Sequence, residues 1–424
     1  MIFGEIELEK SIRVLYGNDE KVIKNQVTRY NKLINKFTAE FRSPDLHFFS
    51  TPGRTELGGN HTDHNNGLVL AASINLDSIA AVSKSIDNKV ELYSEGYDLP
   101  FLVDLNHLEP LPEENGTTHA LIRGVAARLK QLGYEIAGFK AFISSDVLPG
   151  SGLSSSASIE VLIGSIFNAL FNNNSIAPEI LAQTGQFAEN NYLGKPCGLM
   201  DQMACAVGGI ISIDFKDPGN PVFNKVNFDF NKKKYKLLVL DTGGSHADLT
   251  DDYSSIPAEM KSVAELFGVS VLREIDMNLF IEKIPYVRKQ LGDRAVLRTL
   301  HYLAENTRVE QEVGALESDN FSEFLKLINA SGNSSFKFLQ NIYTVKNIKE
   351  QGISLALALC EKFITEIGEG ACRVHGGGFA GTVQIFLPDN SIEDYKKKME
   401  KIFGENSVQV LNIRQIGTVY LNSM

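Results

Sequence analysis

No stretch of this chain approaches the ~18 uninterrupted apolar residues that a membrane span needs. The N-terminal Met1-Ile2-Phe3-Gly4-Glu5 has no basic region leading into an apolar run. Neither a membrane protein nor a secreted one is expected, and the expected location is the cytoplasm. Cysteine is scarce: Cys197, Cys205, Cys360 and Cys372 form no C-x-x-C pair, which suggests neither a zinc site nor a disulfide framework. They read as buried thiols in a reducing compartment. Positive charge is short as well. With 41 Lys and Arg against 52 Asp and Glu, the formal charge of −11 argues against nucleic acid or an anionic membrane as main partner. It does not argue against a nucleotide held in one local cradle. Repeats and low-complexity linkers are also missing. At 424 residues the chain is too long for one simple core, and two domains are expected, 1–216 and 217–424, with Asp217-Pro218-Gly219 at the boundary.

The most informative stretch is Leu148-Pro149-Gly150-Ser151-Gly152-Leu153-Ser154-Ser155-Ser156-Ala157-Ser158. Apolar residues then recur at Ile159, Leu162, Ile163, Ile166 and Leu170, the spacing of one buried helix face. A glycine-rich turn thus delivers three serines to a helix N-terminus. Backbone N–H groups there have no intrahelical partner, and the helix dipole is positive. Glycine lets a bulky anion approach, so the loop has the physics of a phosphate cradle. It is not a P-loop, because no Lys follows the second glycine. A serine-rich N-cap on an ordinary helix would read the same way.

Three further constellations bear on that choice. Pro52-Gly53-Arg54-Thr55-Glu56-Leu57-Gly58-Gly59-Asn60-His61-Thr62-Asp63-His64-Asn65-Asn66-Gly67 packs polar side chains between two apolar segments. Arg54, His61 and Asp63 are donors and acceptors of the kind that read sugar hydroxyls, although a polar turn needs such residues too. Pro196-Cys197-Gly198-Leu199-Met200-Asp201-Gln202-Met203 places one carboxylate in an apolar segment. A cation such as Arg54 would keep that Asp ionised, and an ionised Asp can orient or deprotonate a hydroxyl. Glu189 is a second carboxylate that could hold Mg²⁺ together with a serine hydroxyl. A helix-capping Asp and a solvated Glu are the bland alternatives. Finally, Arg373-Val374-His375-Gly376-Gly377-Gly378-Phe379-Ala380-Gly381-Thr382 clusters glycine where a turn must approach another backbone or a ligand.

The pattern predicts a helix over 27–41, a short strand over 46–50 that turns at Pro52-Gly53, and two strands over 67–74 and 78–82. It predicts a helix over 118–132, a strand over 139–144, the serine-loop helix, and a helix opened by Pro178 and closed by Gly194. Strands follow over 209–215, 235–240, 383–387 and 408–413, with helices over 257–267, 353–364 and 392–403. Strands alternating with helices in both halves indicate an α+β fold with helices packed on sheets.

Taken in order, the four motifs resemble those of the GHMP kinase family, and within it the galactokinase branch. The resemblance covers nearly the whole chain from about Ser50. The signature G-R-x-N-L-I-G-E-H-T-D-Y-N-x-G is matched by Gly53 to Gly67 with departures, and P-x-G-x-G-L-S-S-S-A-S by Leu148 to Ser158, its proline displaced to Pro149. C-G-x-M-D-Q is matched by Cys197 to Gln202, and the third glycine motif by Gly376 to Gly381 with Ala380 in a glycine position.

The resemblance implies a two-domain GHMP kinase fold, with an N-terminal ribosomal-S5-like domain and a C-terminal ferredoxin-like domain. It implies phosphorylation of galactose at the anomeric C1 hydroxyl by ATP with Mg²⁺. By similarity the triphosphate lies on Pro149, Gly150, Ser151, Gly152, Leu153, Ser154, Ser155, Ser156 and Ala157, and Mg²⁺ on Ser156 and Glu189. Asp201 and Arg54 serve the attacking hydroxyl, while Asn60, His61, Asp63, Gly198 and Tyr253 line the sugar pocket. The partners implied are a small sugar and ATP, the assembly a monomer or weak homodimer. Four departures fall in the sugar motif: Glu56 for Asn, Gly58 for Ile, Asn60 for an acidic residue and His64 for Tyr. Loss of the acid at position 60 leaves room for galacturonate or another galactose-like sugar. A sugar and ATP sensor without turnover would be expected to carry damage in the serine loop, and Ser155, Ser156, Ala157 and Asp201 are intact.

Overall fold

The computed structural model describes residues 5–41, 43, 45–147, 152–195, 197–244 and 249–424. Strands run as β1 (His47–Gly58), β2 (Leu68–Lys84), β3 (Lys89–Ser94), β4 (Phe101–Asp104), β5 (Phe139–Ser145), β6 (Ile210–Asp214) and β7 (Val222–Val226). They continue as β8 (Tyr235–Asp241), β9 (Ala371–His375), β10 (Thr382–Pro388), β11 (Val408–Leu411) and β12 (Val419–Tyr420). The helices are α1 (Glu5–Tyr16), α2 (Glu20–Phe41), α3 (Thr118–Gln131), α4 (Ser155–Phe171), α5 (Pro178–Ala188) and α6 (Met200–Val207). Then come α7 (Thr250–Leu266), α8 (Met277–Leu291), α9 (Asp293–Glu317), α10 (Phe321–Ser334), α11 (Gly352–Ile367) and α12 (Ile392–Phe403).

Two sheets organise the chain, as the alternating pattern predicts. The first has the order β12-β1-β2-β5-β3-β4, and β6 joins the free half of β2 and carries β7. Side chains alternate across β2. Ala80 and Val82 face α3 and α4 through Val125, Leu162 and Ile166, while Ile79 and Ala81 face α1 and α2 through Ile12, Tyr30 and Phe37. The second sheet is β11-β8-β10-β9, all antiparallel, in a β-α-β-β-α-β chain order that gives the ferredoxin-like arrangement. Leu238, Leu240 and Ile385 pack on α11 and α12. Leu237, Val239 and Phe386 turn inward to meet α10 and Leu70, Ala72 and Ile74 of β2. That seam joins the two halves. The expected division at residues 216 and 217 falls between β6 and β7, paired strands of one sheet, and β12 also returns to that sheet.

Several elements differ from expectation, each for a local reason. β2 is one strand rather than two, because Asn75-Leu76-Asp77 does not turn. The Asp77 carboxylate is instead buried among Arg29, Arg414, Tyr16 and Ser50, so its polarity is satisfied inside the sheet. β1 passes straight through Pro52-Gly53, absorbing the lost donor in a register shift between Pro52 and Arg54. A second shift follows between Glu56 and Gly58. Arg54 and Glu56 are therefore strand residues and not part of a loop. The helix expected to open at Pro257 begins at Thr250 and takes Pro257 inside it. β3, β4, β7, β9, β12, α1, α6 and α8 to α10 are additional; α9 buries Arg298, His301, Glu305 and Glu312, which blurs its apolar period.

Candidate active site

β1, the loop after β5, and α6 converge on one ion pair. Arg54 donates from Nε to Oδ1 of Asp201 and from Nη2 to Oδ2, both at 2.6 Å. Its Nη1 donates to the carbonyl of Gly152 at 2.5 Å, tying the pair to the serine loop. Ser154 sits in the left-handed region at φ 60° just before α4, and its hydroxyl donates to Oδ2 of Asp201 rather than capping the helix. Ser154 does not cap the first N–H groups of α4, and a helix start of that kind favours an anion. Burial pushes the Asp201 carboxyl up, but the Arg54 charge and the hydrogen bonds from Arg54 and Ser154 outweigh it and hold the group below the usual Asp range. Its side chain keeps 29% of its surface exposed, against 9% for Arg54, so the carboxylate is the reachable partner.

Ser156 and Glu189 also meet. The Ser156 hydroxyl donates to Oε1 of Glu189 at 3.1 Å, and Lys195 approaches the same oxygen at 3.2 Å. Glu189 opens a π-turn between α5 and the left-handed Gly194, which rotates its carboxylate inward. Gln202, next to Asp201 on α6, donates Nε2 to Oε2 of Glu189 and to Oε2 of the buried Glu160, each at 2.9 Å. Burial and the Glu189 charge push the Glu160 carboxyl well up, so Glu160 is a neutral neighbour. Among the described residues no group of three or more His, Cys, Asp or Glu could hold a metal. A hydroxyl and one carboxylate suit Mg²⁺, which keeps waters and takes substrate phosphates as its other ligands.

The sugar motif closes against the glycine motif. His61 adopts φ 58° and donates from Nε2 to the carbonyl of Gly377 at 3.0 Å. Burial and the neighbouring His64 lower its pKa to about 3, so the ring is neutral, and among the described residues its buried Nδ1 has no partner. Asp63 accepts the His64 N–H at 2.9 Å and lies against Gly198, where an added Cβ would collide with its carboxylate. Tyr253 of α7 donates its hydroxyl to the carbonyl of Gly378 at 2.9 Å, and its ring covers Gly377 and meets Phe379 edge-on. Burial pushes its phenol up to about 12.

Asn60 is placed differently. It is fully buried and saturated: Nδ2 donates to Glu56 at 3.0 Å and to the carbonyl of Gly376 at 2.7 Å, while Oδ1 accepts from Ser335 at 3.2 Å and Asn341 at 2.9 Å. It lies behind the turn rather than on an open face, because its amide completes a buried polar network. Leu153 and Ala157 point their side chains into the core, leaving only their backbone to face a ligand. Ser155 is partly exposed on the first turn of α4. Pro149, Gly150 and Ser151 lie outside the described residues.

Motif residues with no role expected from sequence complete the arrangement. Arg373 of β9 is fully buried, donating to Glu56 and to the carbonyl of Leu57 at 2.8 Å. His375 links Thr55 at 3.1 Å to Thr382 at 3.0 Å, beside Gly152. Glu56 and Arg373 stood in the motifs as sequence, and their opposite charges were the available signal for a pair. Nothing in the sequence marked α9.

Comparison with known proteins follows this geometry. Residues 120–209 match the family model for the GHMP kinases N terminal domain, and residues 35–84 that for the galactokinase galactose-binding signature. A galactokinase of Staphylococcus carnosus is 31% identical over 378 residues, covering 87% of this chain and 92% of its own. One of Streptomyces coelicolor is 30% identical over 363 residues, covering 84% and 88%. Among solved structures, Lactococcus lactis galactokinase complexed with galactose superposes with a TM-score of 0.79 at 26% identity, over 92% of this chain and 99% of that one. A mevalonate kinase at 18% identity shares the fold, with a TM-score of 0.61 over 87% and 99%.

Proposed function

The chain belongs to the galactokinases, GHMP kinases that use ATP, and from that premise we propose that it phosphorylates galactose at the C1 hydroxyl, giving galactose 1-phosphate and ADP. One observation supports the reading most strongly. The Arg54–Asp201 pair lies between the serine loop on one side and, through Gly198, Asp63 of the sugar turn on the other. An acceptor hydroxyl resting on Asp201 would sit beside a phosphate cradle.

Asp201 is proposed as the group that receives the C1 hydroxyl. Arg54 and Ser154 keep it ionised, so it accepts a hydrogen bond from the hydroxyl at neutral pH. A carboxylate held this low is a weak base, which suits a loose phosphoryl-transfer transition state in which the proton leaves late. Arg54 fixes the carboxylate through two parallel bonds. The first N–H groups of α4 and the hydroxyls of Ser155 and Ser156 would receive the phosphates. Ser156 and Glu189 would hold Mg²⁺, which supplies charge neutralisation between phosphate oxygens when bound. His61, Asp63 and Tyr253 would take sugar hydroxyls, with Gly198 giving the close approach.

The exchange at position 60 does not make the pocket cationic, since the Glu56 carboxylate lies 3.0 Å from the Asn60 amide. The galactokinase relatives, one of them solved with galactose, make galactose rather than a sugar acid the substrate we favour. A coupled ADP-release assay across galactose, galacturonate, N-acetylgalactosamine, glucose and arabinose tests the reading. Galactose should give the highest kcat/KM, with phosphate at C1 by NMR. Turnover confined to galacturonate, or sugar binding without ADP release, would overturn it. A cytoplasmic location and a monomer or weak homodimer remain part of the proposal; no described helix is long and apolar enough to cross a membrane.

A further inference from the structure

The turn that carries His61 and Asp63 rests on a buried polar support from α9 and the segment after it. The Gly59 N–H donates to Oε1 of Glu305 at 3.3 Å, and Ser331 donates to the same oxygen at 2.5 Å. His301 donates from Nε2 to the carbonyl of Asn60 at 2.9 Å while Nδ1 engages Ser334 at 2.9 Å. Gly58, the last residue of β1 before the turn, faces Glu312. A Cβ added at Gly58 would collide with the Glu312 carboxyl. The backbone at Gly58 is not in the left-handed region, so what a larger residue there would meet is the Glu312 side chain and not backbone strain. Glu312 itself is fully buried, and among the described residues neither of its oxygens has a hydrogen-bond partner.

We propose that Glu312 is a positioning residue for sugar recognition: its carboxyl group occupies the space left at Gly58 and sets the height of the turn that bears His61 and Asp63. This inference rests on the reading of that turn as the sugar site. Two arginines, Arg308 and Arg373, serve this buried region, and Glu305 and Glu56 already pair with them. A third carboxylate would be an uncompensated buried charge, so Glu312 stays protonated, in keeping with the raised pKa that burial and Glu305 impose. The acid then acts by shape and polarity, as a wedge of fixed size. Gly58 and Glu312 are a matched pair, contributed by β1 and α9, and the departure from Ile at position 58 gains a physical reason.

The test uses the whole enzyme and the best sugar of the panel. Glu312→Gln keeps size and neutrality, and its KM for sugar should stay within about twofold of the parent. Glu312→Ala should raise the sugar KM about tenfold, with KM for ATP and kcat within about threefold. Gly58→Ile should raise the sugar KM at least as far, and the double variant Gly58→Ile/Glu312→Ala should recover most of that loss. Hydrogen exchange of the amides of residues 59–63 supplies a readout independent of turnover, faster in Glu312→Ala and unchanged in Glu312→Gln. Should Glu312→Ala not fold, Gly58→Ala, relieved by Glu312→Thr, replaces it. Equal damage from Gln and Ala, no recovery in the double variant, or unchanged exchange at 59–63 would overturn the proposal. If no sugar is phosphorylated but the exchange pattern holds, the functional reading fails and the positioning role survives.

Discussion

Arg54 and Glu56 stand two positions apart on β1 in unbroken register with Ser73 and Ala71, so they point to the same side of the strand. Each forms an arginine–carboxylate pair, with the polarity reversed. Arg54 meets Asp201 of α6, whose side chain is 29% exposed. Glu56 meets Arg373 of β9, and there the exposures are 5% and 0%. The open pair can exchange a partner for a substrate hydroxyl; the sealed pair has nothing to exchange with. Openness, not chemistry, separates the pair proposed to meet substrate from the supporting one.

The contrast should break most sharply at Asp201. Asp201→Asn keeps the shape but removes the charge that orients the acceptor hydroxyl, and kcat should fall by roughly 10²–10⁴-fold. Galactose binding, measured by calorimetry without ATP, should survive. A kcat within a few-fold of the parent would remove the open pair from the chemistry. Next in size is the sealed pair. Arg373→Met strands a buried Glu56, and breaking such a pair typically costs about 3–5 kcal/mol. Denaturant unfolding should show that loss, and the double variant Glu56→Leu/Arg373→Met should regain much of it. Asp201→Asn should destabilise less, and a larger cost there would reverse the distinction.

A smaller effect is expected at the proposed metal pair. Ser156→Ala and Glu189→Gln each remove a hard oxygen, and the Mg²⁺ needed for half-maximal rate should rise by about tenfold or more. Equal Mg²⁺ dependence in parent and variants would exclude that placement. The smallest effect concerns pH. Burial, with the nearby Arg54 charge, lowers the His375 pKa to about 3 from an ordinary 6.5. The folded chain therefore refuses a proton that the unfolded chain accepts. Stability is whole above about pH 6.5 and falls as pH drops toward 3, by at most ~1.4 kcal/mol per unit for this histidine. Thermal melting from pH 7.5 to 5 should show a slope that flattens in His375→Asn.

The regular elements were legible where period and punctuation agreed, as in α4, α5 and β10. Reading failed where buried polar residues found partners that no local pattern announces. Asp77 fell in the gap between two predicted strands and is a strand residue because Arg29 and Arg414 reach it from distant elements. α9 was harder to read because its buried face mixes Arg298, His301, Glu305 and Glu312 with Val296, Tyr302, Val309 and Leu316. Within the site, Asp201, Arg54, Ser156 and Glu189 were named from sequence, and the structure brings each pair into contact. Asn60 was read as facing the sugar, and the structure shows it fully buried, bonded to Glu56, Gly376, Ser335 and Asn341.

The sequence alone determined the local devices: a glycine turn feeding serines to a helix start, an acid in an apolar segment, a polar turn between strands. Those follow from short-range backbone sterics and period, which neighbouring residues set among themselves. Tertiary structure decided which charges became partners and which stayed reachable. Arg54 could have paired with any buried acid, and Glu56 with any cation. Only the docking of α6, β9 and α9 around β1 left one carboxylate open to a substrate and sealed the others, because desolvation and pairing depend on what surrounds a charge in space rather than along the chain.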